Sequence, residues 1–508
     1  MINTRINNVL EYLEKSASKY PSKIAFSDDK NSISYEELVL KAKIVGSAIA
    51  EYGLKQKPIG VINEKSVETI IVFMGIIYSG NFYALINPEH PIDRKNKIIE
   101  TLDNPFFVLS KKYEKQIDSG LNINKYLSIE ELLEKTTINE LELLNIRKNH
   151  IDIDPLYSMF TSGSTGEPKG IVVSHRSVID FIEVFVSEFE FTKDDIIGNQ
   201  APFDFDVSVK DIYTTLKTGA TMQIIPKQKF SFPTLLLDFL CEREVTTLIW
   251  AVSALCIIPV FNGFQYKIPS KINKILFSGE LMPIKHLNEW KKHLPDALYV
   301  NLYGPTEITC NCTFYTLPQG IYEKESMPIG KPFLNERVFL LDDNNELIED
   351  ANKQGEICVS GTALSLGYYN NKTETEKAFV QNPLNKYYNE LIYRTGDLGF
   401  YGNDKELYFS SRKDFQVKHM GHRIELTEID SAFLKIDNIT RVATIYDKEN
   451  KSIISFYQGE YESAEIVKKL RELLPKYMIP TKLIKVLNIP LTDNGKVNRK
   501  KLMEEYYE

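Results

Sequence analysis

Cysteine is scarce in this 508-residue sequence: Cys241, Cys256, Cys310, Cys312 and Cys358 have neither the number nor the spacing of a disulfide framework or a zinc site. Cys310-Asn311-Cys312 is only a CxC, and seven histidines supply no HExxH or similar pair. Reduced thiols and no structural metal are therefore expected. Basic charge is also short, with 61 Lys and Arg against 69 Asp and Glu and a net charge of -8. That balance argues against a nucleic-acid surface, which needs Lys and Arg to neutralise phosphates. Long apolar runs are missing as well. The longest, from Thr247 to Phe261, is interrupted by Ser253 and too short to span a bilayer, so it reads as a buried strand and helix. The opening Met1-Ile2-Asn3-Thr4-Arg5 lacks the regions of a signal peptide, and a cytoplasmic protein with no membrane insertion is expected.

The composition is that of an ordinary globular enzyme, 43% hydrophobic and 26% charged. The length calls for two or more domains. Helix-like and strand-like segments alternate: Ser66 to Ile77, Phe106 to Leu109, His175 to Val186 and Lys274 to Phe277. This is an α/β pattern. From Pro328 to Tyr369 it gives way to short strands and turns, including Arg337 to Leu341 closed by Asp342-Asp343-Asn344-Asn345, which predicts a β-rich subdomain. A hairpin after Arg394-Thr395-Gly396-Asp397 leads to Ser411-Arg412-Lys413-Asp414, and helical patterns return at Thr427 to Leu434 and Ser463 to Leu473. The expected organisation is a large N-terminal domain over 1–411, built of α/β subdomains plus the β-rich one, and a small mobile α+β domain over 412–508.

Ten residues carry most of the chemical information: Thr161-Ser162-Gly163-Ser164-Thr165-Gly166-Glu167-Pro168-Lys169-Gly170. Glycines let backbone N–H groups converge on an anion, hydroxyls add donors, and Lys169 adds positive charge. Leu156 to Phe160 before it and Ile171 to Val173 after it are strand-like, so a loop between strands is expected, unlike the strand-loop-helix of a P-loop. TSGS alone is a common surface turn; the full ten residues favour phosphate.

Three more segments follow in order: Asn301-Leu302-Tyr303-Gly304-Pro305-Thr306-Glu307, Tyr393-Arg394-Thr395-Gly396-Asp397-Leu398 and Asn494-Gly495-Lys496-Val497-Asn498-Arg499. Together with the loop they resemble the adenylate-forming superfamily of nonribosomal-peptide adenylation domains, acyl-CoA synthetases and luciferases. The resemblance runs from Ile33-Ser34-Tyr35-Glu36-Glu37-Leu38 to Lys496, nearly the whole chain. It implies ATP and Mg2+ as cofactors, with a carboxylate attacking the α-phosphate while pyrophosphate leaves, a step in which electrostatics dominates. By the same resemblance Thr161, Ser162, Gly163, Ser164, Thr165, Gly166 and Lys169 hold the β- and γ-phosphates, Thr306 contacts the α-phosphate, and Glu307 ligates magnesium through oxygen. Tyr303 would stack on adenine, Asp397 would accept the ribose hydroxyls with Arg412 nearby, and Ser278, Gly279, Glu280, Asn301 and Gly304 complete the nucleotide pocket. Lys496 would bridge the substrate carboxylate and the α-phosphate, then leave as the small domain turns about a hinge at Asp414. Without its companions Lys496 reads as a surface lysine.

The segment Asp414 to Leu426 looks like the amino-acid-activating branch. In Ala201-Pro202-Phe203-Asp204-Phe205-Asp206-Val207-Ser208-Val209, Asp206 matches the aspartate that pairs with a substrate α-amino group. A helix N-cap or turn role for Asp206, or for Asp204, is the structural alternative. The resemblance lines the substrate pocket with Phe205, Asp206, Val207, Lys210, Ile249 or Trp250, Leu276, Ser278, Leu302, Cys310 and Asn311. Lys210 either points inward, where it would neutralise a side-chain carboxylate, or lies in solvent. The texture is similar to D-alanine:D-alanyl carrier protein ligases, although Ser278 stands where those enzymes typically carry cysteine, and Ser411 replaces the usual glycine before Arg412.

The expected activity is formation of aminoacyl-AMP and transfer to a phosphopantetheine thiol, with Gly421 framing the thiol tunnel. Only twelve residues follow Lys496, so a separate carrier protein is the expected partner. The alternatives are D-alanine:carrier ligation specifically, an acyl- or aryl-CoA ligase, and a non-catalytic nucleotide-binding scaffold.

Overall fold

The computed structural model describes residues 5–163, 167–413, 416–490 and 497–507. Among them, strands and helices alternate through most of the chain and gather into two large sheets. The nine-stranded sheet has the parallel run Leu298–Tyr303, Lys274–Ser278, Thr247–Ala251, Ile196–Asn199, Thr221–Ile224 and Ile24–Ser27, with antiparallel strands at its edges. The seven-stranded sheet centres on Phe82–Leu85, Pro58–Ile62 and Phe106–Leu109. It also takes in the antiparallel pair Pro155–Thr161 and Lys169–Ser174. Parallel strands carry apolar residues on both faces because helices cover both.

The helices of the interior follow from local sequence. Tyr35–Ala50 opens with a capping box in which Ser34 and Glu37 satisfy each other's orphan N–H groups. Val67–Tyr78 starts from the Ser66 cap and is buried on every side except at Glu68, so it serves as core instead of an amphipathic cover. These two helices meet where glycine removes the side chain. A Cβ on Gly75 would fall 2.4 Å from Val45 Cγ1, and one on Gly46 2.7 Å from Tyr78 Cβ.

The β-rich region is confirmed as a six-stranded antiparallel sheet running from Glu336–Leu341 to Leu407–Arg412. It differs from the sequence reading at its start and end. Lys331–Pro332 adds to the nine-stranded sheet and Gly367–Tyr368 to the seven-stranded one, because short edge strands carry no signal of which sheet they join. After residue 416 comes the two-stranded hairpin Gln416–His419 and His422–Glu425. A three-stranded sheet, Ile439–Asp447, Ser452–Gly459 and Lys482–Lys485, then packs with helices Leu426–Phe433 and Ser463–Leu473 around its own core of Ile429, Phe433, Tyr457, Ile466 and Leu470. The Thr247 to Phe261 stretch is strand then helix, as read. No helix of the described residues is long and apolar enough to cross a membrane.

Candidate active site

The carboxyl ends of the parallel strands at Asn199, Ala251, Ser278 and Tyr303 open onto one crevice, the position where open α/β sheets place ligands. The period of two decides which side chains face it. Ile249, Leu276 and Leu302 lie in one core cluster with Cys310, whereas Trp250, Phe277 and Tyr299 lie in another on the opposite face of the sheet. Of the pair Ile249 and Trp250, the pocket side is therefore Ile249. Trp250 is fully buried and donates its indole N–H to the Gly198 carbonyl, 2.7 Å away.

Helix Val207–Thr218 starts at Asp206, which occupies the N-cap position but makes no side-chain cap bond. The capping alternative is thus removed. Burial pushes the Asp206 carboxyl up against the pull of Lys210, with Thr306 beside it, and no cationic side chain pairs with it among the described residues. Cys310 Sγ donates to the Asp206 carbonyl at 3.0 Å. One turn on, Lys210 points inward: it is fully buried and donates to Asn311 Oδ1 at 2.6 Å. Asp204 faces away, accepting from Asn87. The Phe205 ring stands perpendicular to His422 at 4.7 Å.

At the nucleotide end Tyr303 donates to Asp397 Oδ2 at 2.5 Å, and Arg412 pairs with the other oxygen. Ser278 lies opposite Leu302 in register, followed by Gly279 at a φ of +98°. Asn301 turns its amide to the Pro328 carbonyl at 2.8 Å, so its side chain braces the strand. Gly304 packs against the Cys310 to Cys312 turn: a Cβ there would sit 2.5 Å from Asn311 Cα. Thr306 and Glu307 begin the short helix that follows.

The phosphate-loop motif splits on folding. Thr161 ends one strand, Lys169 begins the next, and the two residues are paired in register, so Lys169 is a strand residue at the mouth of the turn. Its ammonium meets Glu374 at 2.7 Å and lies over the Tyr368 ring. Ser162 and Gly163 belong to the turn; Ser164, Thr165 and Gly166 lie outside the described residues. Across from it Glu307 is buried and accepts from Tyr368 O–H at 2.8 Å and from Arg423 at 3.0 and 2.8 Å. Burial opposes its ionisation, yet the Arg423 guanidinium and the hydrogen bonds hold it below the usual carboxylate range. No cluster of three or more metal-ligating side chains exists among the described residues. One buried carboxylate suits magnesium, which takes one or two protein carboxylates and completes its shell with phosphates and water. Glu307 can serve so only when Arg423 is elsewhere, because both its oxygens face that guanidinium.

The 416–425 hairpin fills this end of the crevice. Ser162 Oγ donates to the Arg423 carbonyl at 2.8 Å and accepts from the Glu425 N–H at 3.1 Å. The Gly421 N–H donates to Glu280 at 2.5 Å, and a Cβ on Gly421 would lie 3.2 Å from Ala251 Cβ. Lys418 sits over the Tyr303 ring, its ammonium disfavoured by burial. The hairpin is buttressed by a buried pair, Arg94 with Glu428, and by His422 stacked on Tyr477 at 3.6 Å. Lys496 and the Asp414 hinge position lie outside the described residues. Val497, next to Lys496, packs with Ile489, Phe456 and Leu502, none of them a residue of the crevice.

Sequence reading missed four side chains here. Arg423 and Lys418 lie within the Asp414 to Leu426 segment, where only Asp414 and Gly421 carry expected roles, Tyr368 lies in the β-rich stretch, and Glu374 lies beyond it outside any motif. Nothing local marks them, since each acts through a partner distant in sequence, from 61 residues for Tyr368 to 205 for Glu374.

The chain matches the family model for "AMP-binding enzyme" over residues 13–369 and belongs to that family. It is an adenylate-forming enzyme, an ATP-using and AMP-forming ligase. Within the family it is similar to zwittermicin A synthase ZmaJ of Bacillus cereus, 31% identical over 97% of this chain and 94% of that one. It is 30% identical to a D-alanine–D-alanyl carrier protein ligase of Bacillus velezensis, covering 98% and 99%. Against tyrocidine synthase 1 of Brevibacillus parabrevis it is 30% identical over 98% of its own length but spans only 45% of that protein. Among solved structures, holo-PA1221, an NRPS protein containing adenylation and PCP domains, superposes with a TM-score of 0.85 over 98% of this chain and 84% of that one. At 23% identity that likeness shows the fold.

Proposed function

We propose that this enzyme activates an amino acid as aminoacyl-AMP, with Mg2+ held by Glu307, and passes the aminoacyl group to the phosphopantetheine thiol of a separate carrier protein. Asp206 carries the amino-acid reading. It is a carboxylate in the crevice beside Thr306, with no cationic side chain paired to it among the described residues, and a substrate ammonium would supply the missing charge. A simple acyl or aryl acid has no group to offer there.

Residues 1–411 would form the domain that holds nucleotide and substrate, and residues 412–508 the small domain that changes its face between the half-reactions. Support for the second half-reaction comes from the seated hairpin. Ser162, Glu307 and Glu280 all engage it, so the leaving-group end of the site is closed by protein while Gly421 abuts Ala251. Ser162, Lys169 and the rest of the turn would hold pyrophosphate, Tyr303 and Asp397 the nucleoside, and Lys496 the reacting oxygens when the small domain presents it. Similarity to carrier protein ligases points to the acceptor.

The test is ATP–pyrophosphate exchange over all amino acids in both configurations, then transfer of the labelled product to a holo-carrier protein. At least one amino acid should support exchange, and Asp206→Ala should abolish it. Exchange with simple acids that survives Asp206→Ala, or transfer to free coenzyme A alone, would overturn the reading in favour of a CoA ligase.

A further inference from the structure

Lys210 lies one helical turn from Asp206, and its surroundings are unusual for a lysine. It is 0% exposed, its one hydrogen-bond partner among the described residues is the neutral Asn311 amide oxygen, and no carboxylate lies within ion-pair distance. An ammonium carries three donors and keeps them solvated or paired; buried beside a single neutral acceptor it lacks two partners and a counter-ion. The neighbouring carboxylates do not fill that need. Asp211, the next residue, gives one oxygen to Asn199 at 2.6 Å, and Asp206, one helical turn back, is not in ion-pair contact.

The position of this cation in the crevice decides what it meets. Asp206 is hydrogen-bonded by Thr306 and feels the charge of Lys210, one helical turn further along the same helix. In the orientation proposed above, with the reacting carboxylate toward Thr306 and the ammonium on Asp206, the side chain of the substrate extends toward Lys210 and Asn311. Cys310, held on the Asp206 carbonyl, Leu276 and Leu302 give the rest of that wall no other charge.

We infer that Lys210 and Asn311 form a specificity site for a side-chain carboxylate, so that the enzyme selects an acidic amino acid. This rests on the amino-acid reading above and narrows it. The carboxylate would accept from the Lys210 ammonium and from the Asn311 amide N–H, completing the donors that the protein leaves over. Burial alone disfavours the charged lysine, and an arriving carboxylate reverses that, so the pair forms as a unit with the substrate.

The experiment is pyrophosphate exchange by the full-length enzyme with D- and L-aspartate, D- and L-glutamate, their amides, D- and L-alanine, leucine and succinate, for the wild type, Lys210→Met and Asn311→Asp. Thermal melting checks that each variant folds. The wild type should favour an acidic amino acid over its amide and over alanine by about 100-fold or more in kcat/KM, the discrimination expected when buried polar groups go unpaired. Lys210→Met should remove that preference. Asn311→Asp, which keeps the size of the side chain and gives Lys210 an internal counter-ion, should remove it as well. A wild type that favours an uncharged amino acid, or a Lys210→Met that keeps an acidic preference, overturns the inference and leaves amino-acid activation standing. A preference for succinate would mean that Lys210 serves Asp206 and would overturn both, as would exchange with none of the amino acids.

Discussion

Replacing Arg423 by Met should separate the two half-reactions. Glu307 is 1% exposed and both its oxygens accept from Arg423, at 3.0 and 2.8 Å, with Tyr368 and Tyr393 as further donors. Removing one partner of a buried ion pair costs about 3–5 kcal/mol, because the remaining charge is stranded without solvent. At about 1.4 kcal/mol per factor of ten, the seated arrangement of the hairpin would lose two orders of magnitude or more in population. Withdrawal of the hairpin lets water or a magnesium ion reach Glu307, so the lower end of that range, about 100-fold, is the expected effect. The loss should fall on the arrangement that Arg423 stabilises and spare the one in which Glu307 serves the metal. In single-turnover assays, transfer from preformed aminoacyl-AMP to a pantetheine thiol should drop about 100-fold, with pyrophosphate exchange within a factor of a few of wild type. Arg423→Lys, which keeps the charge but not the fork, should fall between. Equal losses in both assays would refute the reasoning, since Arg423 would then support the site as a whole; unchanged transfer would refute it from the other side.

Lys169→Ala should lower pyrophosphate exchange by about 100-fold, the scale of losing one charged donor to a leaving group, and leave single-turnover transfer nearly unchanged; equal effects on both would remove Lys169 from the phosphate end. Burial, assisted by nearby His419, Lys227 and Arg94, pushes His422 down from 6.5 to about 3, so the seated hairpin holds it neutral. A group with a depressed pKa binds fewer protons in the seated state, so seating weakens as pH falls below about 6.5 and is fully present above it. His422→Phe keeps the ring on Tyr477 and removes the proton, leaving Asp204, Glu428, Lys95 and His90 common to both proteins; the ratio of variant to wild-type transfer should rise about tenfold from pH 7.5 to pH 5.5. A flat ratio would show that the ring protonates without unseating the hairpin. Gly75→Ala should destabilise the core by about 1–3 kcal/mol in urea unfolding, because its methyl would meet Val45 at 2.4 Å.

The sequence was most informative where function needs contiguous chemistry. The Thr161 to Lys169 motif, the Tyr303 to Glu307 motif and Asp397 are assigned to one site in advance through their resemblance, in that order along the chain, to the adenylate-forming superfamily. The alternation of strands and helices gave the α/β class from local pattern. Lys210 was harder: a lysine on a helix carries no mark of its direction, and only the packing of Val207–Thr218 against the strand ends shows that it faces Asn311, 101 residues away. Trp250 shows a related limit, since hydrophobicity marks strand Thr247–Ala251 as buried on both faces and cannot tell which face looks into the crevice.

Arg423 exposes the deeper limit, because its role depends on where the hairpin sits. Glu307 offers two oxygens to one cation at a time, and Ser162 has its hydroxyl committed as both donor and acceptor to the hairpin backbone. In the proposed cycle phosphate and metal on one hand, and the hairpin on the other, would therefore compete for the same protein groups. The competition orders the proposed cycle without any further device: while pyrophosphate and its metal stay bound, Ser162 and Glu307 are unavailable and the hairpin cannot seat. Once they leave, both Glu307 oxygens are free to accept from Arg423, and Gly421 comes against Ala251 with it. Added pyrophosphate with magnesium should therefore inhibit transfer competitively with seating, and Arg423→Met, already poorly seated, should be inhibited at lower pyrophosphate than the wild type. Equal sensitivity of the two proteins would mean that leaving group and hairpin do not share these residues.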